Sequence, residues 1–95
     1  MKECIIHGDR IRSWDMLYQK IGADLRFPEW FGSNLDALYD CLTDLDDAQL
    51  TIYQWEALAG NLGEKANTLK RVLLDAGLEN PNLIVCILEG GEDEI

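Results

Sequence analysis

Apolar residues recur along this chain in two spacings, one typical of strands and the other typical of helices. Three short stretches are strand-like: residues 3–7, residues 49–53 and the continuous apolar run 83–88. Helical spacing, with apolar residues at i, i+3, i+4 and i+7, occupies residues 14–22, 34–42, 55–62 and 64–78. Strands separated by helices imply right-handed crossovers, which predicts an α/β fold: a small three-stranded parallel sheet packed with four helices.

Turn and capping residues predict where several of these elements begin and end. We expect the first helix to end at Gly22, because glycine commonly terminates helices. Ser33 or Asn34 is a good N-cap for the second helix, and Gly32 can take the positive φ of a turn before it. The run 83–88 contains no polar residue, which predicts a central strand that is buried on both faces.

The 95-residue length and the cysteine content favour a single small domain in a reducing compartment. We expect residues 1–89 to fold together and residues 90–95 to form a disordered acidic tail. The chain starts without the features of a signal peptide, and its apolar runs are too short to span a membrane. Cys4, Cys41 and Cys86 each lie in an apolar run, so buried reduced thiols and a cytoplasmic location are expected.

Negative charge is concentrated in the middle of the chain. The formal net charge is −10, which argues against direct binding to nucleic acid or to an anionic membrane. Residues 27–64 contain eight acids and no Lys or Arg. Asp36, Asp40 and Asp44 are four residues apart, so they lie on one helical face, where like charges repel. An acidic surface that costs stability indicates a cationic partner.

An aromatic segment, Trp30-Phe31-Gly32, precedes this acidic helix. Two bulky aromatic residues beside a turn glycine favour one outward and one inward side chain, and we expect Trp30 to be exposed and Phe31 to be buried. Tyr39 flanks Asp40 and either contacts the same partner or merely covers the helix. The apolar side of this helix is expected to carry Leu35, Leu38, Leu42, Ala37 and Cys41.

The same segment resembles the barstar family, bacterial intracellular inhibitors of barnase-type ribonucleases. The residues that carry the resemblance are Pro28-Glu29, Gly32, Asn34-Leu35-Asp36-Ala37-Leu38 and Asp40-Cys41-Leu42-Thr43, with Gly8 and Ile11-Arg12-Ser13 nearer the start. The resemblance extends more weakly to the last strand and leaves out only residues 90–95. It implies a three-stranded parallel sheet with four helices, in agreement with the periodicity.

The resemblance also implies how the protein acts. The acidic helix and its preceding loop would plug the basic cleft of a ribonuclease, with carboxylates in place of RNA phosphates. Asp40 matches the position that enters the phosphate pocket, and Asp36 matches a second carboxylate beside it. The residues implied to contact the partner are Trp30, Gly32, Asn34, Leu35, Asp36, Tyr39, Asp40, Thr43, Asp44, Asp47, Asp75 and Glu79. The complex would be one-to-one, and the free protein would be a monomer.

Several positions depart from the family pattern at the edge of this surface. Asp44 stands where barstar has glycine, Leu45 replaces a tryptophan, and Trp30-Phe31 replaces two tyrosines. Asp47 stands where barstar has glutamate, and Asp75 is one methylene shorter than the family residue. An alternative function is therefore an acidic module of the same fold that binds a different basic protein.

Enzymatic and metal-dependent functions have weaker support. Cys41 and His7 could form a nucleophile and base, but no third orienting residue is evident. The run Asp44-Leu45-Asp46-Asp47 lacks the spacing, the glycine and the distal glutamate of a calcium loop. Asp36-Ala37-Leu38 is faintly similar to an acyl carrier protein, but the serine that bears the prosthetic arm is absent. We expect no catalysis, no metal and no cofactor.

Overall fold

The computed structural model describes residues 1–90 and has the predicted α/β fold. The elements, in chain order, are β1 (Lys2–His7), a 3-10 turn (Gly8–Arg10), α1 (Trp14–Asp24), α2 (Leu35–Thr43), β2 (Ala48–Tyr53), α3 (Trp55–Leu62), α4 (Ala66–Glu79) and β3 (Leu83–Ile87). The three strands are parallel, in the order β1-β2-β3. The predicted acidic tail lies outside the described residues from residue 91 onward. No helix in residues 1–90 is long and apolar enough to cross a bilayer.

The central strand is β2, so the prediction that residues 83–88 form it was wrong. β2 is hydrogen-bonded to both neighbours, and four of its six residues are buried. β3 lies at an edge, and its Ile84 side chain is 49% exposed. An uninterrupted apolar run predicts burial on both faces. Only the inward face of β3 is packed here. The side chains on its other face are apolar but are not buried.

The core lies between the inward face of the sheet and the helices. Cys4 of β1 aligns with Leu50 of β2 and Val85 of β3, and two residues further along the same face lies a second apolar row, Ile6, Ile52 and Ile87. Helix α1 contributes Leu17, Tyr18 and Ile21 to the core, as its spacing predicts. Each fully buried leucine or isoleucine contributes about 1.5–3 kcal/mol relative to an exposed one, which is enough to orient α1 on the sheet.

Helix α1 continues two residues past Gly22, where the sequence predicted its end. Its last turn closes through the amide of Phe27, which donates to the carbonyl of Gly22 at 2.9 Å. Arg26, not glycine, adopts the left-handed conformation of this cap, with φ 57°. A Cβ at Gly22 would make only ordinary contacts with the Phe27 and Phe31 rings. The prediction that Gly22 ends the helix was therefore wrong, because Gly22 is itself helical and Arg26 takes the left-handed conformation.

Gly8 is required where the chain leaves β1 and passes the end of β2. A Cβ at this position would overlap the carbonyl oxygen of Gln54 and would lie 2.8 Å from that of Tyr53. We expect Gly8→Ala to reduce the free energy of unfolding by about 2 kcal/mol, since backbone atoms must move to admit the methyl group. The measurement is urea denaturation followed by tryptophan fluorescence.

Gly60 provides a matched control for this substitution. It is an exposed residue of α3, and a Cβ there would meet nothing within 4 Å. Gly60→Ala should raise the free energy of unfolding by up to about 1 kcal/mol, since alanine is the better helix former. Equal effects of the two substitutions would contradict the close approach at Gly8.

Candidate functional site

The loop between α1 and α2 presents one aromatic side chain to solvent and anchors another in the protein. Trp30 is 71% exposed. Phe31 is half-buried and makes edge contacts with Phe27 and Tyr18, at ring-centroid distances of 5.0 and 5.9 Å. These contacts hold the loop against α1. The backbone that carries Trp30 is therefore fixed, while the Trp30 side chain is exposed to solvent. The prediction of an outward Trp30 and an inward Phe31 is confirmed.

Helix α2 begins at a cap made by Asn34. The Asn34 side-chain oxygen accepts a hydrogen bond from the amide of Ala37 at 2.8 Å, and its amide nitrogen donates to the Gly32 carbonyl at 3.3 Å. Ser33 is left-handed, with φ 51°, so the prediction of a positive φ at Gly32 was wrong. Gly32 instead leaves room for the cap, because a Cβ there would lie 3.2 Å from the Asn34 amide nitrogen.

The acidic face of α2 is held outward by the burial of its opposite face. Leu38, Cys41 and Leu42 are buried in the core or at its edge. Asp36 and Asp40 are exposed, and so is Asp44, the C-cap residue. The predicted alignment of the three acids on one exposed face is confirmed. We refer to Asp36, Asp40 and Asp44, together with Trp30, as the acidic face.

Nearby charges act on the Cys41 thiol beneath the acidic face. Burial raises the pKa of Cys41, and the carboxylates of Asp40 and Asp44 raise it further. The Cys4 thiol is buried deeper, and burial with the nearby Asp24 raises its pKa to about 12. Nucleophilic cysteines need a lowered pKa, so neither environment suits catalysis. Cys41 instead serves as a small apolar residue under Asp40.

The other α2 residues that were predicted to contact a partner also make contacts within the protein. Leu35 and Tyr39 are half-buried and pack against the core, so only part of each side chain is available to a partner. The Thr43 hydroxyl donates to the Asp40 carbonyl at 3.0 Å. Asp40 itself keeps its carboxylate exposed at the middle of the helix.

Asn80 joins the end of α4 to the end of α2, a contact that sequence reasoning missed. Its buried side-chain amide donates to the carbonyls of Leu42 and Leu45, at 3.0 and 2.8 Å. Its side-chain oxygen accepts from the amide of Asn82 at 2.9 Å. The sequence showed only a turn at residues 80–82, since nothing local indicates that the side chain reaches a helix 38 residues away.

Two further predicted residues lie on α4, close in sequence to this contact. Glu79 is the last residue of α4 and adjoins Asn80. Asp75 lies one turn earlier, at the i, i+4 spacing that shares a helix face, and both residues are exposed. Asp47 is placed differently: its carboxylate lies 3.7 Å from the N-terminal ammonium of Met1, at the start of the sheet. Its charge is already partly compensated.

The fold also brings bases close to the acidic face from outside the base-free segment 27–64. Lys2 and Arg26 line a hollow of about 160 Å³ together with Trp30 and Asp44. Lys65 lines a wider groove of about 400 Å³ whose other residues include Asp36. Arg26 and Lys65 border the segment 27–64 in sequence and Lys2 lies near the start of the chain, so the segment itself did not show which acids these bases adjoin. Bases therefore line the hollows at both ends of the acidic face, and Asp40 borders neither hollow.

Comparison with known proteins agrees with this architecture. The Barstar family, described as barnase inhibitor, matches residues 1–88. A protein of Bacillus subtilis (strain 168), named "Putative ribonuclease inhibitor YrdF", is 33% identical over 91 residues. That alignment covers 94% of this chain and 100% of the relative. With the family matched over nearly the whole chain and its fold present, this chain belongs to the barstar family.

Proposed function

We propose that this protein inhibits a barnase-type ribonuclease by covering its active site with α2 and the preceding loop. The observation that carries the proposal is the exposed Asp40 carboxylate at the middle of a helix whose other face is fixed in the core. Family membership and the name of the B. subtilis relative support the same role. The protein would act by occlusion and would perform no chemistry of its own.

Electrostatic mimicry explains why such a surface suits a ribonuclease. A cleft that binds RNA must present cations to the phosphate chain, and carboxylates can occupy those phosphate positions. Asp40 would enter the phosphate site, with Asp36 beside it, and the exposed Trp30 ring would cover apolar or basic groups at the cleft margin. Because the helix is already ordered, binding costs little conformational entropy.

A titration of RNA cleavage tests the proposal directly. Increasing amounts of this protein are added to a fixed concentration of a barnase-type ribonuclease, well above the dissociation constant. We expect cleavage to fall linearly and to reach zero at one inhibitor chain per enzyme. Full cleavage at a micromolar excess of this protein would contradict the proposal for that enzyme.

A second candidate is an acidic module that binds a different basic protein. The observation that favours it is the altered edge of the acidic face, where Lys2 and Arg26 adjoin Asp44 and Trp30. In that case, exposed acids elsewhere, such as Asp46, should contribute about as much to affinity as Asp40. In the ribonuclease complex, Asp40 should dominate.

We also propose that the protein works in the cytoplasm. Cys4, Cys41 and Cys86 are all free thiols, and the first two are buried. Free cysteines of this kind are typical of reducing compartments. A ribonuclease inhibitor located there would protect the RNA of the cell that makes the nuclease.

Association with the ribonuclease should depend strongly on salt. This protein has a net charge of −10, so it attracts a basic partner at long range. Dissolved ions shorten the range of this attraction. We expect the association rate constant to fall about tenfold or more between roughly 50 and 500 mM NaCl, as the screening length shrinks from about 14 to 4 Å. Stopped-flow fluorescence gives this rate, and one that is indifferent to salt would contradict electrostatic attraction.

A further inference from the structure

A second surface of the molecule is apolar and is not part of the acidic face. It consists of Leu74, Gly77 and Leu78 of α4 with the segment Leu83–Leu88, and we call it the α4–β3 patch. Leu78 is 86% exposed, and Ile84 is 49% exposed. A hollow of about 400 Å³ beside Leu78 is lined by apolar residues and glycine alone: Leu74, Gly77, Leu78, Leu83 and Val85. Exposed apolar surface of this kind usually marks an interaction site.

The patch includes a sheet edge that lacks the usual protection against pairing. Edge strands are commonly guarded by charged residues or proline. At the other edge, β1 carries Lys2, Glu3 and His7. β3 has the sequence Leu-Ile-Val-Cys-Ile, with no charge and no proline, and on its outer side no strand within residues 1–90 pairs with it. Its outward backbone groups are therefore available to another strand.

The family resemblance implies a monomer, but we propose that the α4–β3 patch binds a second copy of this chain, with the two β3 strands pairing antiparallel across a twofold axis. A twofold interface must be complementary to itself. The patch meets this requirement, because the protruding Leu78 side chain lies next to an apolar hollow that the Leu78 of another copy can fill.

Charge also favours a second copy over a basic partner at this surface. Two chains of net charge −10 repel, so they can meet only where each is locally neutral. The segment from Leu83 to Leu88 carries no charged residue. Basic partners would instead be drawn to the acids elsewhere on the molecule, and they gain nothing electrostatic from an uncharged strand.

Pairing through this patch leaves the acidic face accessible. On α4, Leu74 and Leu78 are one helical turn apart and share one flank, whereas Asp75 and Glu79 share another. The second flank includes Glu79, which adjoins Asn80, the residue that is hydrogen-bonded to the end of α2. Each chain of the dimer could therefore hold a ribonuclease, which makes the dimer independent of the proposed inhibition.

Sedimentation equilibrium of the full chain tests the proposal over protein concentrations from micromolar to millimolar. We expect the average mass to rise from that of one 10.8 kDa chain to twice that value. Leu78→Ser and Ile84→Thr should each raise the concentration of half-dimerisation about tenfold, since each removes apolar area from the interface without adding charge. Met16→Ser is the matched control: it removes an exposed apolar side chain of α1, outside the patch, and should leave the dimer unchanged.

The outcomes separate the possible occupants of the patch. A mass of one chain at every concentration would overturn the proposal and would favour an extended segment of another protein. A dimer unaffected by Leu78→Ser and Ile84→Thr would overturn it as well, because the contact would then lie elsewhere. Leu78→Ser should inhibit a barnase-type ribonuclease with unchanged stoichiometry per chain, so failure of inhibition and failure of dimerisation are distinguishable.

Discussion

Replacing Asp40 by alanine should weaken binding to a barnase-type ribonuclease by about 2–5 kcal/mol, a range that barnase–barstar complexes themselves helped to define. In the proposed complex, the Asp40 carboxylate is desolvated against cations of the phosphate site. Its removal leaves those cations buried without a partner, and that penalty accounts for much of the loss. The dissociation rate should rise by the larger factor, since the long-range attraction of the remaining acids is nearly unchanged.

The measurement is inhibition of RNA cleavage together with surface-plasmon resonance for both rate constants. Asp46→Ala is the matched control, because Asp46 is also exposed but lies beyond the end of α2. It should cost no more than about 1 kcal/mol, as expected for a charge at or outside the rim of an interface. Equal losses for the two variants would instead favour an acidic module that attracts a basic protein without a specific phosphate site.

Stability measurements show whether the affinity loss arises at the interface. The Asp40 side chain is exposed and has like-charged neighbours at i−4 and i+4. Asp40→Ala should therefore leave the free energy of unfolding unchanged or raise it by a few tenths of a kcal/mol, about the size of one or two such repulsions. A large loss of stability would mean that Asp40 supports the fold.

Local sequence signals predicted most of the fold because most elements here follow from neighbouring residues. The helix spacing of α2 and the β-rich run at β2 needed no long-range information. The errors arose where one signal had two explanations. The apolar run 83–88 suits either a central strand or an edge strand with an exposed apolar face, and Gly22 suits either a helix end or a packed helix interior.

The candidate site was predictable only to the extent that it lies within one segment. Trp30, Asp36, Asp40 and Asp44 come from residues 30–44, and their exposure followed from helical spacing and the turn. Lys2, Arg26 and Lys65 lie outside that segment, and only the fold shows which of its residues they adjoin, so their charges could not be assigned to this surface. Family resemblance supplied Asp75 and Glu79, which periodicity alone would have left as an ordinary solvated face.

The largest expected effect on stability is that of Asn80→Ala, at about 3 kcal/mol. Asn80 is 4% exposed, and its side chain makes three hydrogen bonds. Alanine would leave the carbonyls of Leu42 and Leu45 and the amide of Asn82 without these partners. Each buried group that loses its partner costs about 1–3 kcal/mol, and water reaching some of them keeps the total near the lower end. Urea denaturation and thermal unfolding measure the loss.

Asn82→Ala is the matched control, two residues away in the same turn. Asn82 is exposed and contributes only its backbone groups to the contacts around it. Its replacement should change the free energy of unfolding by no more than about 0.5 kcal/mol. A loss as large as that of Asn80→Ala would assign the stability to the turn in general and not to the bridge between α2 and α4.

Asn80→Asp separates the two halves of this bridge. Aspartate keeps an oxygen for the Asn82 amide but presents a second oxygen to the carbonyls of Leu42 and Leu45, so two attractive contacts become repulsive. It should therefore destabilise the protein at least as much as alanine does, although it retains one hydrogen bond.

The bridge fixes the end of α2, whereas Asp40 is also held by the buried residues Leu38, Cys41 and Leu42. Folded Asn80→Ala should consequently still inhibit a barnase-type ribonuclease, and its deficit should disappear once activity is expressed per folded molecule. A deficit that persists would show that the exact placement of the end of α2, and with it Asp44, contributes to binding.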